Sequence, residues 1–265
     1  MADAPWTLPT SAYSYSRVRE LRGEASIAVV VPVRDEAATV GAVIDAVRDH
    51  EELIDELVIV DDHSTDGSAR VAERHGAKVV QADGPGGKGR ALAAGVQATT
   101  SSLLVFLDGD VVNTTPDYVA RLVQPLLESP RIQLVKPIYE RPYFDMPTGG
   151  GRVNELAARP ILALLFPGLD GVRQPLAGET ALRRSALDGI DLAPGYDVEI
   201  ALLIDVARRY GLDATAQVDL GVRRHRNRPL DELRPMATEV LRAVLERFGL
   251  EQSHSDVDYL PRHYN

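Results

Sequence analysis

Between residues 27 and 135 short apolar runs alternate with segments of helical spacing, and this alternation dictates the architecture. Ile27 to Val31 is a β-branched-rich run with no polar interruption, as expected of a parallel strand covered on both faces, and Pro32 is expected to close it. Val40, Val43, Ile44 and Val47 follow at the i, i+3, i+4, i+7 positions of one helix face. Leu57 to Val60 is a second strand ending in Asp61-Asp62, and Ser64-Thr65-Asp66-Gly67 supplies turn and cap chemistry before a helix over Ala69 to His75. Ala77 to Gln81 is a third strand. The glycine-rich Gly84-Pro85-Gly86-Gly87-Lys88-Gly89 leads into a helix carrying Leu92 and Val96. Leu103 to Leu107 is a fourth strand, followed at once by Asp108-Gly109-Asp110. Helical spacing at Val119, Leu122, Val123 and Leu126 precedes a further strand from Ile132 to Val135. Such alternation predicts an α/β fold, a doubly wound, mostly parallel sheet with ligands beyond the carboxyl ends of its strands.

The second half is less regular. Met146 to Gly151 reads as a turn rich in proline and glycine, Glu155 to Phe166 as helical, and Asp197 to Arg209 as a helix with Ile200, Leu203, Ile204 and Ala207 on one face. Ala237, Val240, Leu241, Val244, Leu245 and Phe248 form the stripe of a C-terminal helix, which packs on its own domain or on a second subunit. The expected division is an N-terminal arm over 1–24, an α/β region over 25–137, a less regular region of the same domain over 138–250, and a mobile tail over 251–265.

Composition excludes several classes. Without cysteine there is no disulfide and no thiolate metal site. Twenty-nine basic against 39 acidic residues, a net charge of −10, argue against nucleic acid or anionic membrane as a partner. No window approaches the roughly 18 uninterrupted apolar residues of a membrane span, and the N-terminus lacks the order of a signal peptide, so a cytoplasmic protein is expected. Basic residues do concentrate locally in Arg223-Arg224-His225-Arg226-Asn227-Arg228, which suits a small anion or a solvated loop.

Two carboxylates flanking a glycine after a buried strand suit a hard divalent cation shared with substrate phosphates, although a polar turn has the same composition. Asp61-Asp62 and Asp35-Glu36 end neighbouring strands, and three acidic strand ends along one edge strengthen the metal reading. The glycine-rich loop could cradle phosphates with its N–H groups and Lys88, or be a flexible linker. It lacks the hydroxyl residue of a Walker loop, because Gly89 follows the lysine. Glu199, in a first helical turn, could meet a sugar or simply favour the helix dipole, and His225 could complete a metal site or be solvated.

Taken in order, Pro32-Val33-Arg34-Asp35-Glu36, Asp61-Asp62-His63-Ser64-Thr65-Asp66, Gly87-Lys88-Gly89-Arg90-Ala91-Leu92 and Asp108-Gly109-Asp110 resemble the transferases of the GT-A fold. Gly149-Gly150-Gly151-Arg152-Val153, Leu176-Ala177-Gly178-Glu179, Gly195-Tyr196-Asp197-Val198-Glu199 and His225-Arg226-Asn227-Arg228-Pro229-Leu230 resemble the glucosyl-3-phosphoglycerate and mannosyl-3-phosphoglycerate synthase family, over about residues 25 to 250. The resemblance implies a retaining, metal-dependent (Mg²⁺ or Mn²⁺) transfer of a hexose from a nucleoside diphosphate to the 2-hydroxyl of D-3-phosphoglycerate, by a homodimer.

It further implies that Pro32, Arg34, Glu36, Asp62, Lys88, Asp108 and Gly109 bind the nucleotide, with Arg223 and Arg228 near its anionic groups. Leu176, Ala177, Gly178 and Tyr196 would meet the sugar; Gly151, Arg152, Asn154 and Asn227 the acceptor; Asp110 and His225 the metal. Glu199, Asp110 and Lys88 would carry catalysis. Asn154 stands where the family has threonine and Gly109 where serine is common, and Thr180 and Asp197 also depart from the commoner pattern. The acceptor, and glucose against mannose, are open at this point, as is a sugar nucleotidyltransferase that would use the same loop, lysine and aspartates on a nucleoside triphosphate.

Overall fold

The computed structural model describes residues 6–8, 12–143, 146–224 and 229–250. The elements run β1 (Trp6–Leu8), α1 (Tyr15–Arg22), β2 (Ile27–Val33), α2 (Val40–Arg48), β3 (Glu56–Asp61), α3 (Ser68–Arg74), β4 (Lys78–Gln81), α4 (Lys88–Gln97), β5 (Leu103–Phe106), α5 (Asp117–Glu128), β6 (Leu134–Glu140), β7 (Pro142–Tyr143), β8 (Met146–Gly149), α6 (Arg159–Leu165), β9 (Thr180–Arg183), α7 (Val198–Tyr210), β10 (Thr215–Val222) and α8 (Leu230–Phe248). Eight strands form one sheet in the order β1-β10-β6-β9-β5-β2-β3-β4, and β7 with β8 makes a separate hairpin. All neighbours in the large sheet are parallel except β9, which runs antiparallel to both β5 and β6.

The two-residue period of the strands divides the core. Ile27, Val29, Val31 and Val33 face one layer with α1, α2 and α5, whereas Ala28 and Val30 face the other with α4, α6, α7 and α8. With both faces covered, β2 can be apolar throughout. Val240 and Val244 of α8 are buried in that second layer, so the stripe of the C-terminal helix packs on its own chain. No helix among the described residues is long and apolar enough to cross a membrane.

Two sequence expectations change. Pro32 lies inside β2, opposite Val60 of β3, and does not close the strand. Val30 accepts from Leu107 on the β5 side and Val33 from Asp62 on the β3 side. By alternation the missing proline N–H faces β5, where pairing has already ended at Val30 and Phe106. Among the described residues before β2, β1 pairs with β10 and α1 packs on α5. The segment from Met146, read as a turn, is instead the return strand of the hairpin with Pro142–Tyr143.

Candidate active site

The carboxyl ends of β2, β3 and β5 open onto a cleft of about 470 Å³, closed on its other side by the segment after β8 and by the starts of α7 and α8. Pro32, Arg34, Glu36, Asp62, Lys88, Asp108, Gly109, Asp110, Gly151, Arg152, Asn154, Leu176, Tyr196, Glu199 and Arg223 all line it, so residues far apart in sequence meet at one place. Ala177 and Gly178 lie behind this lining: a Cβ on Gly178 would stand 1.9 Å from Asp108 Oδ1. His225, Asn227 and Arg228 lie outside the described residues.

At two of the three acidic strand ends the first carboxylate is engaged in turn chemistry. Asp35 Oδ1 accepts from the Thr65 N–H at 2.7 Å, and Asp61 Oδ1 from the Ser64 N–H at 3.2 Å, tying the loops after β2 and β3 to each other and to themselves. Asp35 adopts φ +57, a left-handed conformation that a short polar side chain tolerates. One oxygen of each is thereby engaged in the loops, while Asp35, Glu36 and Asp62 line the cleft. Asp62 faces the cleft but also accepts from the Gly87 N–H at 3.0 Å.

Part of the glycine-rich loop is likewise engaged within the fold. The N–H groups of Gly87, Gly89 and Arg90 donate to Asp62, to the Gly195 carbonyl and to the Pro194 carbonyl. Its glycines serve close approach instead, since a Cβ on Gly89 would fall 1.6 Å from the Ala193 carbonyl oxygen. Docked in this way, the loop begins α4 with Lys88 directed into the cleft.

Lys88 Nζ lies 2.6 Å from both Asp108 Oδ1 and Glu199 Oε1, joining the end of β5 to the first turn of α7. The Arg223 guanidinium reaches Asp108 Oδ2 at 2.5 Å and Asp110 Oδ1 at 3.3 Å. Two cations therefore oppose the burial of Asp108 and hold its carboxyl well below the usual range. Asp110 has only the longer contact; burial and the adjacent Asp108 charge push its pKa up. It is the carboxylate short of positive charge, which is what a site for a hard cation requires. Burial also raises Glu199, against the opposing effect of Lys88.

On the opposite wall of the cleft, Asn154 begins a single π-type turn over Asn154–Ala158, a local widening that recurs at functional sites. Its amide nitrogen donates to Glu155 Oε1 and to the Arg173 carbonyl, both at 3.0 Å. Both partners only accept, so the amide orientation follows from the network. The Asn154 oxygen is left buried without a partner.

Glu179, Lys136, Tyr139 and Arg141 were not singled out from sequence. Glu179 accepts from Arg223 Nε at 2.6 Å beneath the aspartates, and Lys136 Nζ donates to the Ala177 carbonyl at 2.6 Å and Thr180 Oγ1 at 2.9 Å. Glu179 closes the motif Leu176-Ala177-Gly178-Glu179 but had no role assigned, and a lysine inside an apolar strand, as in Leu134-Val135-Lys136, is the signal that could have found the second.

The glycosyl transferase family 2 profile matches residues 28–187. A glucosyl-3-phosphoglycerate synthase of Mycobacterium tuberculosis is 44% identical over 95% of this chain and 82% of its own length. A crystal structure of the Mycobacterium tuberculosis synthase in complex with Mn²⁺, UDP-glucose and phosphoglyceric acid has a TM-score of 0.86 at 43% identity, covering 95% of this chain and 89% of that one. Another, with Mg²⁺ and UDP, has a TM-score of 0.87 at 43% identity, covering 94% and 88%. With a GT-A-like sheet, the strand-end aspartates and this degree of identity in one molecule, the chain belongs to glycosyl transferase family 2, among the glucosyl-3-phosphoglycerate synthases.

Proposed function

We propose that this chain transfers glucose from UDP-glucose to the 2-hydroxyl of 3-phosphoglycerate, with Mg²⁺ or Mn²⁺, releasing UDP and retaining the anomeric configuration. The observation that carries this reading is Lys88, held between Asp108 on the nucleotide side and Glu199 on the sugar side. The Mycobacterium tuberculosis synthase, which binds UDP-glucose and phosphoglyceric acid together with Mn²⁺, supports the choice of donor and acceptor.

Asp110, with its deficit of positive charge, fits a divalent cation, and His225 is assigned as its second ligand from the family pattern. When bound there, the cation supplies charge stabilisation for the leaving diphosphate. The chain's own residues do the rest. Lys88 stabilises charge that grows on the phosphate oxygen as the bond from the anomeric carbon to that oxygen breaks. The acceptor hydroxyl forms its bond to the same carbon from the same face, and its proton passes to the departing phosphate oxygen. Glu199, ion-paired and buried, orients the sugar and does not attack it. Arg152 and the basic segment after β10 meet the anionic acceptor.

The test is an assay with UDP-glucose or GDP-mannose, 3-phosphoglycerate and Mn²⁺, read by nucleotide release and anomeric NMR. Acceptor-dependent UDP release with an α-glucoside product is expected. No acceptor-dependent release overturns the assignment, and a glucosyl group trapped on Glu199 overturns the same-face mechanism.

A further inference from the structure

Arg141 follows β6 directly, and its side chain lines the cleft. The hairpin of β7 and β8 brings the chain back upon it, with the Gly150 N–H donating to the Arg141 carbonyl at 3.1 Å. Glycine is required at both positions that touch it. A Cβ on Gly150 would stand 2.8 Å from Arg141 Cβ, and one on Gly151 3.0 Å from its Cδ and 3.2 Å from Nη1. Gly151 also has φ +69. The turn is thus shaped around an arginine that sequence separates from it by a whole hairpin.

The guanidinium it shapes is incompletely satisfied. One terminal nitrogen donates to the Tyr139 hydroxyl at 2.9 Å, over whose ring the group lies at 5.1 Å. Its Nε is buried without a partner, and among the described residues no carboxylate is within ion-pair distance. Lys88 and Arg223, the other buried cations facing the cleft, each hold carboxylates. Asp108 feels the Arg141 charge from a distance, but no carboxylate touches the guanidinium; a half-buried guanidinium lacking such a contact is completed by an anion, and its planar fork matches a phosphate or carboxylate. Asn154, close by in the chain, cannot take that anion, because both its amide hydrogens are committed and its free atom is an acceptor.

We infer that Arg141 binds the phosphate of the acceptor, alongside Arg152 from the far side of the glycine turn, and so sets the preference for a phosphorylated acceptor. This rests on the glucosyl transfer reading above. The deciding comparison is Arg141→Gln and Arg141→Lys against the wild type, by calorimetric binding of 3-phosphoglycerate to protein preloaded with UDP and Mn²⁺, and by kcat/KM with 3-phosphoglycerate and with D-glycerate. Loss of a charge-assisted pair predicts that Arg141→Gln binds 3-phosphoglycerate on the order of 10- to 100-fold more weakly, with Arg141→Lys between it and the wild type. The ratio of kcat/KM for 3-phosphoglycerate to that for D-glycerate falls by a similar factor, and the Kd for UDP-glucose stays that of the wild type. An unchanged Kd for 3-phosphoglycerate, or an equal loss with both acceptors, overturns the inference in favour of a purely structural role through Tyr139. If 3-phosphoglycerate binding depends on Arg141 but the wild type releases no UDP, the transfer reading falls and the anion site stands. If the wild type transfers glucose and Arg141→Gln matches it, the reverse holds.

Discussion

Glu179 accepts a 2.6 Å hydrogen bond from Arg223 Nε, in a pair whose side chains are 1% and 2% exposed. The second Glu179 oxygen accepts from the Tyr139 hydroxyl at 3.2 Å, so the carboxylate fixes from behind the guanidinium that faces Asp108 and Asp110. Removing one member of a buried pair strands the other. Glu179→Ala is expected to lose about 3–5 kcal/mol of stability in urea unfolding, and Glu179→Gln less, because an acceptor of the same shape is kept.

Among the described residues Lys88 alone pairs with both Asp108 and Glu199, and its replacement by methionine should act on the chemical step. Losing one preorganised electrostatic donor typically costs on the order of 10²–10³ in kcat, and that drop is expected here with a smaller change in KM for the acceptor. A second sign follows from Glu199, whose raised pKa Lys88 partly offsets. Without the lysine that pKa rises further, so the acid limb of the kcat/KM profile should move to higher pH. A profile that stays in place would show that Glu199 does not feel Lys88 during turnover.

Gly178 is buried against Asp108, whose carboxylate Lys88 and Arg223 clamp from two directions. A methyl group there has no flexible neighbour to displace. Gly178→Ala should therefore abolish glucosyl transfer and UDP-glucose binding while leaving the far-ultraviolet circular dichroism of the folded chain intact. Wild-type donor affinity would mean that Asp108 can move freely.

The parallel half of the fold was legible because strands buried on both faces need unbroken apolar runs, as in Ile27 to Val31 and Leu103 to Leu107. Asp108, Lys88 and Glu199 were legible because strand ends and first helical turns can be located from such patterns. β10 was not, since Gln217 is polar yet buried, its side chain accepting from the Arg173 N–H and donating to the Gly171 carbonyl. β9 was missed because four residues ending in arginine carry no period. The acidic and glycine-rich loops were ambiguous in a different way. Residues that suit a ligand also suit a turn, and only the tertiary partners of Asp35, Asp61 and Gly87 distinguish the two. Arg141 escaped for the same reason, its position being set by a hairpin and two glycines that composition does not connect to it.

Lys136 supplies a dependence of stability on pH. It is 1% exposed in the centre of the sheet, bonded only to the neutral Ala177 carbonyl and Thr180 hydroxyl, and burial pushes its pKa from 10.5 down to about 8. Below pH 8 the folded and unfolded chains are both charged there, and the folded state carries the full desolvation cost. Between the two values the unfolded chain binds the extra proton, so the contribution of this residue to stability rises with pH, by up to about 1.4 kcal/mol per pH unit. Lys136→Met has no proton to lose. Urea unfolding of both proteins at pH 7 and pH 10 should show the difference between them moving in favour of the wild type at the higher pH. A difference that does not change with pH would mean that the ammonium is as well solvated in the folded chain as in the unfolded one.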